Sequence, residues 1–319
     1  MKKLISLISS ILLSAILDTA DATTYLMPED SNDRVIAQYT TDNVPLIRSE
    51  QDGTLLDVAR RFLLGQTEIV RLNPNVDRWL VKKDVMVRLP NKRILPDTPH
   101  DGITLNLPEF RMYYYPRNQE EGSPQLVMSY AHGIGRQDWK TPLGKTSVAG
   151  KVKDPSWRPP ESIRKEHAAD GDILPIVVPP GPHNPLGAYV LNLAIRKYLI
   201  HGTDIDKIFG IGMQITHGCI RMYPEDIEEL YNSVKVGTPV YIVKQPIKVG
   251  WLNNVLYIEA HPDLEGEEMS QDRRFAIALA LIKKANNQEM PEFDQLALNQ
   301  ALNNLDGDPI AIYERLPPL

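Results

Sequence analysis

Between Ile103 and Val243 the apolar residues come in short alternating runs, and a chain so patterned does not fold as a helical bundle. Ile103, Leu105 and Leu107 alternate with polar residues. Met112–Tyr115, Leu126–Ser129, Thr146–Val148, Tyr189–Leu193, Tyr198–Ile200 and Val240–Val243 read as further strands. Gly133, Gly135, Pro142 and Gly144 punctuate the turns between them. One segment departs from this period. Ile227, Leu230, Tyr231 and Val234 fall at i, i+3, i+4 and i+7, which predicts a helix over Asp226–Val234, with Pro224 where a helix begins. Residues 154–188 are rich in proline and glycine and show little periodicity. A loop of that length in a compact domain is usually functional, and we read it as a lid. The domain expected over residues 99–244 is therefore mainly β, with few helices.

Upstream the pattern changes. Residues 23–43 are polar and read as an extended lead-in. Asp52-Gly53-Thr54 precedes Leu55, Val58, Ala59 and Phe62 at helical spacing, with Thr54 or Asp52 as cap and Gly65 as stop. A second short helix carries Ile69, Val70 and Leu72 and ends at Asn73-Pro74-Asn75. Val85, Val87 and Leu89 alternate as a strand. Residues 44–90 thus predict a small strand–helix–helix–strand unit. Leu95-Pro96-Asp97-Thr98-Pro99 follows as a stiff linker, because each proline fixes its own φ and extends its predecessor. Residues 245–319 form an extension, with a strand at Val255–Ile258, helices at Phe275–Ile282 and Phe293–Leu305, and a strand at Ile310–Tyr313. Its sequence carries no recognisable chemistry.

The amino terminus reads as an export signal. Met1-Lys2-Lys3 is basic, Leu4–Leu17 is apolar apart from serines, and Ala20-Asp21-Ala22 is a small-x-small cleavage site. Asp18 and Asp21 end the run short of the roughly 20 apolar residues of a membrane span. The expectation is a cleavable peptide over residues 1–22 and an exported, soluble mature chain. The formal charge of −6 argues against nucleic-acid binding by bulk charge.

Cys219 is the single cysteine of 319 residues, which excludes an internal disulfide or a multi-cysteine metal site. It sits in Thr216-His217-Gly218-Cys219-Ile220-Arg221-Met222, eighteen residues after His201 in His201-Gly202-Thr203. A thiol becomes a nucleophile as its thiolate, and a histidine within hydrogen-bond reach supplies the base. His217, at i−2, shares a face with Cys219 if the strand is extended. His201 ends a separate strand and can meet Cys219 across a pair. Gly218 permits close backbone approach, and the N–H groups of Gly218 and Cys219 can form an oxyanion hole. Arg221 is placed to hold a substrate carboxylate. Spacing does not say which histidine is the base. An inert buried thiol is the plain alternative. Asp204 and Asp206 with the histidines suggest a metal, but no third N or S donor has suitable spacing.

Two resemblances sharpen these readings. Asp52-Gly53-Thr54-Leu55, Ile69, Asn73-Pro74-Asn75 and Val85–Pro90 resemble a LysM module, a family that binds N-acetylglucosamine-containing glycan. The opening strand, Leu46-Ile47-Arg48, departs from the usual tyrosine-valine. His201-Gly202-Thr203, Ile211-Gly212 and Thr216–Met222 resemble the signature of the YkuD-type L,D-transpeptidases. Gly133-Ile134-Gly135, Thr141-Pro142-Leu143-Gly144, Trp157, Asn184-Pro185-Leu186-Gly187 and Gly237-Thr238-Pro239-Val240 agree with that pattern. Leu95-Pro96-Asp97-Thr98 and Arg111–Pro116 resemble the periplasmic ErfK/YbiS-type branch. Thr216 stands where serine is commoner and keeps the hydroxyl.

The resemblance implies a β-sandwich catalytic domain preceded by the small α+β module. It implies Cys219 as nucleophile and His201 as general base, oriented by the backbone carbonyl of Gly202. His217 and the N–H groups of Gly218 and Cys219 would line the oxyanion site, with Arg221, Thr203 and Thr216 at the substrate. Neither cofactor nor metal is implied. The partners implied are peptidoglycan stem peptides and glycan strands, with a lipoprotein lysine, a second diaminopimelate or water as acyl acceptor. The rival readings are a cysteine hydrolase of the same bonds and an inactive wall-binding protein.

Overall fold

The computed structural model describes residues 24–30, 32–37, 46–117 and 124–315, so the export signal expected over residues 1–22 lies outside the described residues. The chain is mixed and sheet-rich, with few helices.

Two ten-residue strands, Leu126–Gly135 and Gly144–Lys153, organise the central sheet. Each pairs with different neighbours along its length. Leu126–Gly135 takes Arg111–Tyr115 along one side, through Met112↔Tyr130 and Tyr113↔Ser129. On its other side it takes Thr24–Leu26 near its start and Ile220–Met222 near its end. Gly144–Lys153 pairs first with Pro239–Val243 and then with Tyr189–Leu193. Leu199–His201 joins Tyr189–Leu193 to Ile220–Met222, and Gly102–Asn106 joins Pro239–Val243 to Arg111–Tyr115. The hydrogen-bonded order therefore closes on itself. It encloses Ile103, Leu105, Met112, Tyr130, Val148, Leu191, Ile200, Ile220 and Met222, with Ile227 and Leu230 of helix Pro224–Ser233 packed among them. Thr24–Leu26, in the segment read as a lead-in, is a short strand whose Tyr25 is 3 % exposed.

Residues 46–88 form a strand, two helices and a strand. Leu46–Arg48 pairs antiparallel with Met86–Arg88. Helix Leu55–Arg61 starts on a capping box: Asp57 N–H donates to Thr54 Oγ1 at 3.1 Å, and Thr54 N–H donates back to the Asp57 carboxylate at 2.7 Å. Such a cap stabilises by about 1 kcal/mol. Leu55, Ala59, Leu64, Ile69, Val81 and Val87 make a small separate core.

This unit is docked beside the segment that runs from Ile211 to Tyr223. Helix Gln66–Leu72 begins with Gln66 N–H donating to the carbonyl of Ile211 at 2.9 Å, and Thr67 Oγ1 donates to the carbonyl of Gly212. Tyr223 Oη donates to the carbonyl of Leu64 at 2.9 Å. Gly212 has φ +82°, and a Cβ there would stand 2.5 Å from Gly65 Cα, so only glycine allows this approach.

Strands Ile247–Leu252, Val255–Ala260 and Ile310–Glu314 form a three-stranded sheet covered by helices Gln271–Ala285 and Gln295–Asn304. A buried ionic cluster joins this extension to the rest. Lys248 Nζ lies 2.8 Å from Glu109 Oε2 and 2.7 Å from Glu259 Oε1, and donates to the carbonyl of Ile94 at 2.5 Å. Ile94 N–H donates to Glu259 Oε2, and Asn106 Nδ2 donates to Glu109 at 2.9 Å. Glu109, Glu259 and His261 are grouped as metal ligands would be, but the cation among the carboxylates is the ammonium of Lys248. None of the three side chains of the pairs is more than 4 % exposed.

Candidate active site

Leu199–His201 and Ile220–Met222 run parallel, with His201 opposite Arg221 and Ile200 opposite Ile220. Residues paired side by side share a face, so His201 and Arg221 look the same way. Cys219 immediately precedes the strand Ile220–Met222, two residues before Arg221. Both segments are short because turns bound them: Gly202 leads into a loop, and Gly218 reverses the chain before Cys219.

His201 is 5 % exposed, and its Nδ1 lies 2.6 Å from the carbonyl of Gly202. A carbonyl only accepts, so Nδ1 carries the proton and Nε2 is left as the acceptor. Burial, and then the nearby Arg221, push its pKa down to about 3. The ring rests neutral. The thiol of Cys219 is raised by burial, against smaller opposing effects of the Leu199 N–H and Arg221. It lies 3.7 Å from the carbonyl of Lys197. The resting pair is thus thiol and imidazole rather than thiolate and imidazolium.

Gly218 has φ +99°, and a Cβ there would meet Tyr198 Cε1 at 2.9 Å. The backbone is not extended at this point, so the alternation that would put His217 and Cys219 on one face does not apply. His217 instead turns to helix Glu161–Ala169. Its Nε2 donates to Glu166 Oε2 at 3.1 Å, and the edge of Trp139 meets its ring at 5.3 Å. With Nε2 protonated, the neutral ring has a lone pair at Nδ1.

Thr216 also differs from expectation. It is 3 % exposed, its hydroxyl accepts from Gly218 N–H at 3.2 Å and donates to the carbonyl of Cys219 at 2.6 Å. That hydroxyl shapes the turn instead of facing a substrate, and it engages one of the two expected oxyanion donors. Thr203 is 4 % exposed, and its Oγ1 is without a partner. Arg221 Nε and Asp204 Oδ1 are likewise buried and unpartnered. Burial lowers the pKa of Arg221, with Asp204 and Cys219 opposing. These unmet polar atoms beside Cys219 are the place where a polar substrate group would find partners.

Two contributors carried no role in the sequence. Thr141 Oγ1 donates to the carbonyl of Gly218 at 2.9 Å and accepts from Gly135 N–H at 3.1 Å, tying the turn at Gly218 to the end of a long strand. Glu166 lies 51 residues from His217, and no local pattern announces the contact.

The sequence profile of YkuD, the L,D-transpeptidase catalytic domain, matches residues 100–242. The Probable L,D-transpeptidase YbiS of Escherichia coli K12 is 35% identical over 297 residues, covering 92% of this chain and 93% of that protein. The chain belongs to the L,D-transpeptidase family. The Probable L,D-transpeptidase ErfK/SrfK of the same organism is 34% identical over 300 residues, 92% of each chain. The Putative L,D-transpeptidase YkuD of Bacillus licheniformis is 27% identical over 189 residues, 59% of this transpeptidase and 93% of that protein. Among the described residues, no helix of the transpeptidase is long and apolar enough to cross a membrane.

Proposed function

We propose that the chain acts on peptidoglycan, cleaving the bond between the third residue of a tetrapeptide stem and its terminal D-alanine. The Cys219 thiol gives its proton to His201 Nε2 as Sγ attacks the acyl carbon. The thioester C–S bond forms, the amide C–N bond breaks, and the proton leaves with the D-alanine amine. An acceptor amine then attacks the thioester, its N–C bond replaces the C–S bond, and sulfur leaves to regain a proton. The acceptor is a lipoprotein C-terminal lysine or a second diaminopimelate; with water the same site is a hydrolase. The N–H of Cys219 serves the oxyanion, and Arg221 with Thr203 receives a stem carboxylate.

The observation that carries this reading is the fixed tautomer of His201. The carbonyl of Gly202 holds the proton on Nδ1 and leaves Nε2 as acceptor, and the parallel register pairs His201 with Arg221, two residues after Cys219, which supports His201 as the base. Around this site we assign residues 99–244 to a catalytic domain, a sandwich whose two long strands pass from one half to the other. Residues 44–90 are a LysM-type glycan-binding module, 245–319 a supporting extension, and 1–22 an export signal that delivers the enzyme to the periplasm.

The test is mass spectrometry of the protein and of Cys219→Ala with a disaccharide-tetrapeptide and a lysine-ended acceptor peptide. A Cys219-dependent adduct with loss of D-alanine, followed by a joined product, is expected. Free tripeptide alone identifies the hydrolase. No adduct and no product, with glycan still bound, identifies an inactive wall-binding protein.

A further inference from the structure

Helix Glu161–Ala169 buries one residue, Ile163, so it has little apolar area with which to hold its place. The segment around it is self-contained. Trp157 and Val178 exchange backbone hydrogen bonds at 2.9 and 2.8 Å, and Asn184, 1 % exposed, donates to the carbonyls of Pro155 and Pro179 at 2.8 and 3.1 Å. The helix meets the turn before Cys219 through Glu166, which hydrogen-bonds to it, and through the His167 ring, 6.4 Å from that of His217. Glu166 Oε1 accepts from Arg136 Nη2 at 2.5 Å, while Oε2 accepts from His217 Nε2 at 3.1 Å. Arg136 directly follows the long strand that ends at Gly135, and His217 directly precedes Gly218.

We propose that Glu166 is a positioning residue: its carboxylate fixes the His217 ring with the proton on Nε2 and ties helix Glu161–Ala169 to the turn that carries Cys219. The proposal rests on the transpeptidase reading above and adds a residue to it. A carboxylate that accepts from one ring nitrogen fixes both tautomer and ring angle, as the partners of catalytic and metal-bound imidazoles do. The groups facing His217 are Glu166 and His167 from the helix, and Arg136 and the Trp139 ring from the loop after the long strand. Glu166 is the one acid among them. Burial lowers the His217 pKa, Glu166 opposes this, and Arg136 and His167 add to it.

The experiment compares the full chain with Glu166→Gln and Glu166→Asp, by nitrogen-15 NMR of the His217 ring and by steady-state acyl transfer against pH. Glutamine is similar in size and Glu166 is part-exposed, so both variants fold. In the unsubstituted protein Nε2 carries the proton. In Glu166→Gln the charge is lost, the amide can present either its oxygen or its NH2 to the ring, and the His217 pKa falls. On losing a charged hydrogen bond, kcat drops about 10-fold or more, with KM within about 2-fold. The NMR titration of His217 moves to lower pH, because the carboxylate that raised its pKa is gone. Glu166→Asp restores the His217 pKa and part of kcat.

An unchanged tautomer and pKa in Glu166→Gln overturns the proposal. So does a kcat loss with neither tautomer nor His217 pKa moved, which marks a structural role only. Failure of the transpeptidase reading looks different: the unsubstituted protein then forms no Cys219 thioester, while the NMR shift still occurs.

Discussion

Replacing Lys248 by methionine keeps the length of the side chain and removes the cation between two buried carboxylates. Glu109 and Glu259 lie 2.8 and 2.7 Å from its nitrogen, and both are nearly solvent-free. Burial alone would raise the pKa of Glu109; Lys248, His261 and Arg93 outweigh it and hold the group below the usual carboxylate range. Breaking a buried pair by removing one partner costs about 3–5 kcal/mol. The loss has a ceiling, because Glu109 can take up a proton. Holding a carboxyl with an ordinary pKa of about 4.3 neutral at pH 7 costs about 1.36 kcal/mol per unit, or about 4 kcal/mol. At pH 5 the same proton costs about 1 kcal/mol. The sign follows from linkage. A depressed carboxylate stabilises the native state above its unfolded pKa, and that stability is lost as pH falls through the folded value. At pH 5 the unsubstituted protein therefore still keeps this stability; the gap narrows because in Lys248→Met the buried Glu109, without its cation, takes up a proton that becomes cheaper as pH falls. Urea unfolding of the two proteins is expected to differ by about 4 kcal/mol at pH 7 and by about 1–2 kcal/mol at pH 5. In thermal scans a loss of that size lowers Tm by about 8–16 °C. A difference below about 1 kcal/mol at pH 7, or one equal at both pH values, refutes the reasoning.

Other outcomes follow from the site. The rate of Cys219 alkylation by iodoacetamide rises with pH to beyond the ordinary thiol value of about 8.5, because burial raises this thiol; a plateau below neutral pH contradicts the neutral resting pair. Thr216→Val removes the acceptor of Gly218 N–H and the donor to the Cys219 carbonyl, costing about 1–3 kcal/mol by denaturant titration. Activity falls by more than stability alone predicts, since the turn itself is reshaped. Gly212→Ala combines a positive φ with a 2.5 Å clash against Gly65, so limited proteolysis should cut between residues 44–90 and the rest faster in the variant. Equal cutting rates would mean the two segments are not held by this contact.

The strands were legible because their period is local. Ile103, Leu105 and Leu107 announce the strand observed at Gly102–Asn106. Alternation implies that Thr104 and Asn106 face water, yet both are buried. Thr104 shares a hydrogen bond of 2.8 Å with Thr98, and Asn106 donates to the carbonyl of Gln245 at 3.0 Å. The cover comes from distant chain, which no local pattern records. Helix Glu161–Ala169 was hidden for the opposite reason: with Ile163 alone buried, it leaves no apolar stripe to read. At the site, the residue types around Cys219 pointed to nucleophilic chemistry, and the likeness to a family chose His201 over His217. The turn at Gly218 could not be foreseen from an i, i+2 count, since one positive φ undoes the alternation. Closure of the sheet was equally out of reach, because alternation gives a strand its faces but not its neighbours.

The contact between Gly65 and Gly212 has a mechanical side. Gln66 N–H holds the carbonyl of Ile211, five residues before Thr216, and Tyr223 Oη grips Leu64 just beyond Cys219 on the other side. Tension applied to the small amino-terminal unit therefore enters the chain on both flanks of Cys219. If that unit holds a glycan strand, as proposed, a pull on the strand is delivered to the turn that carries Cys219.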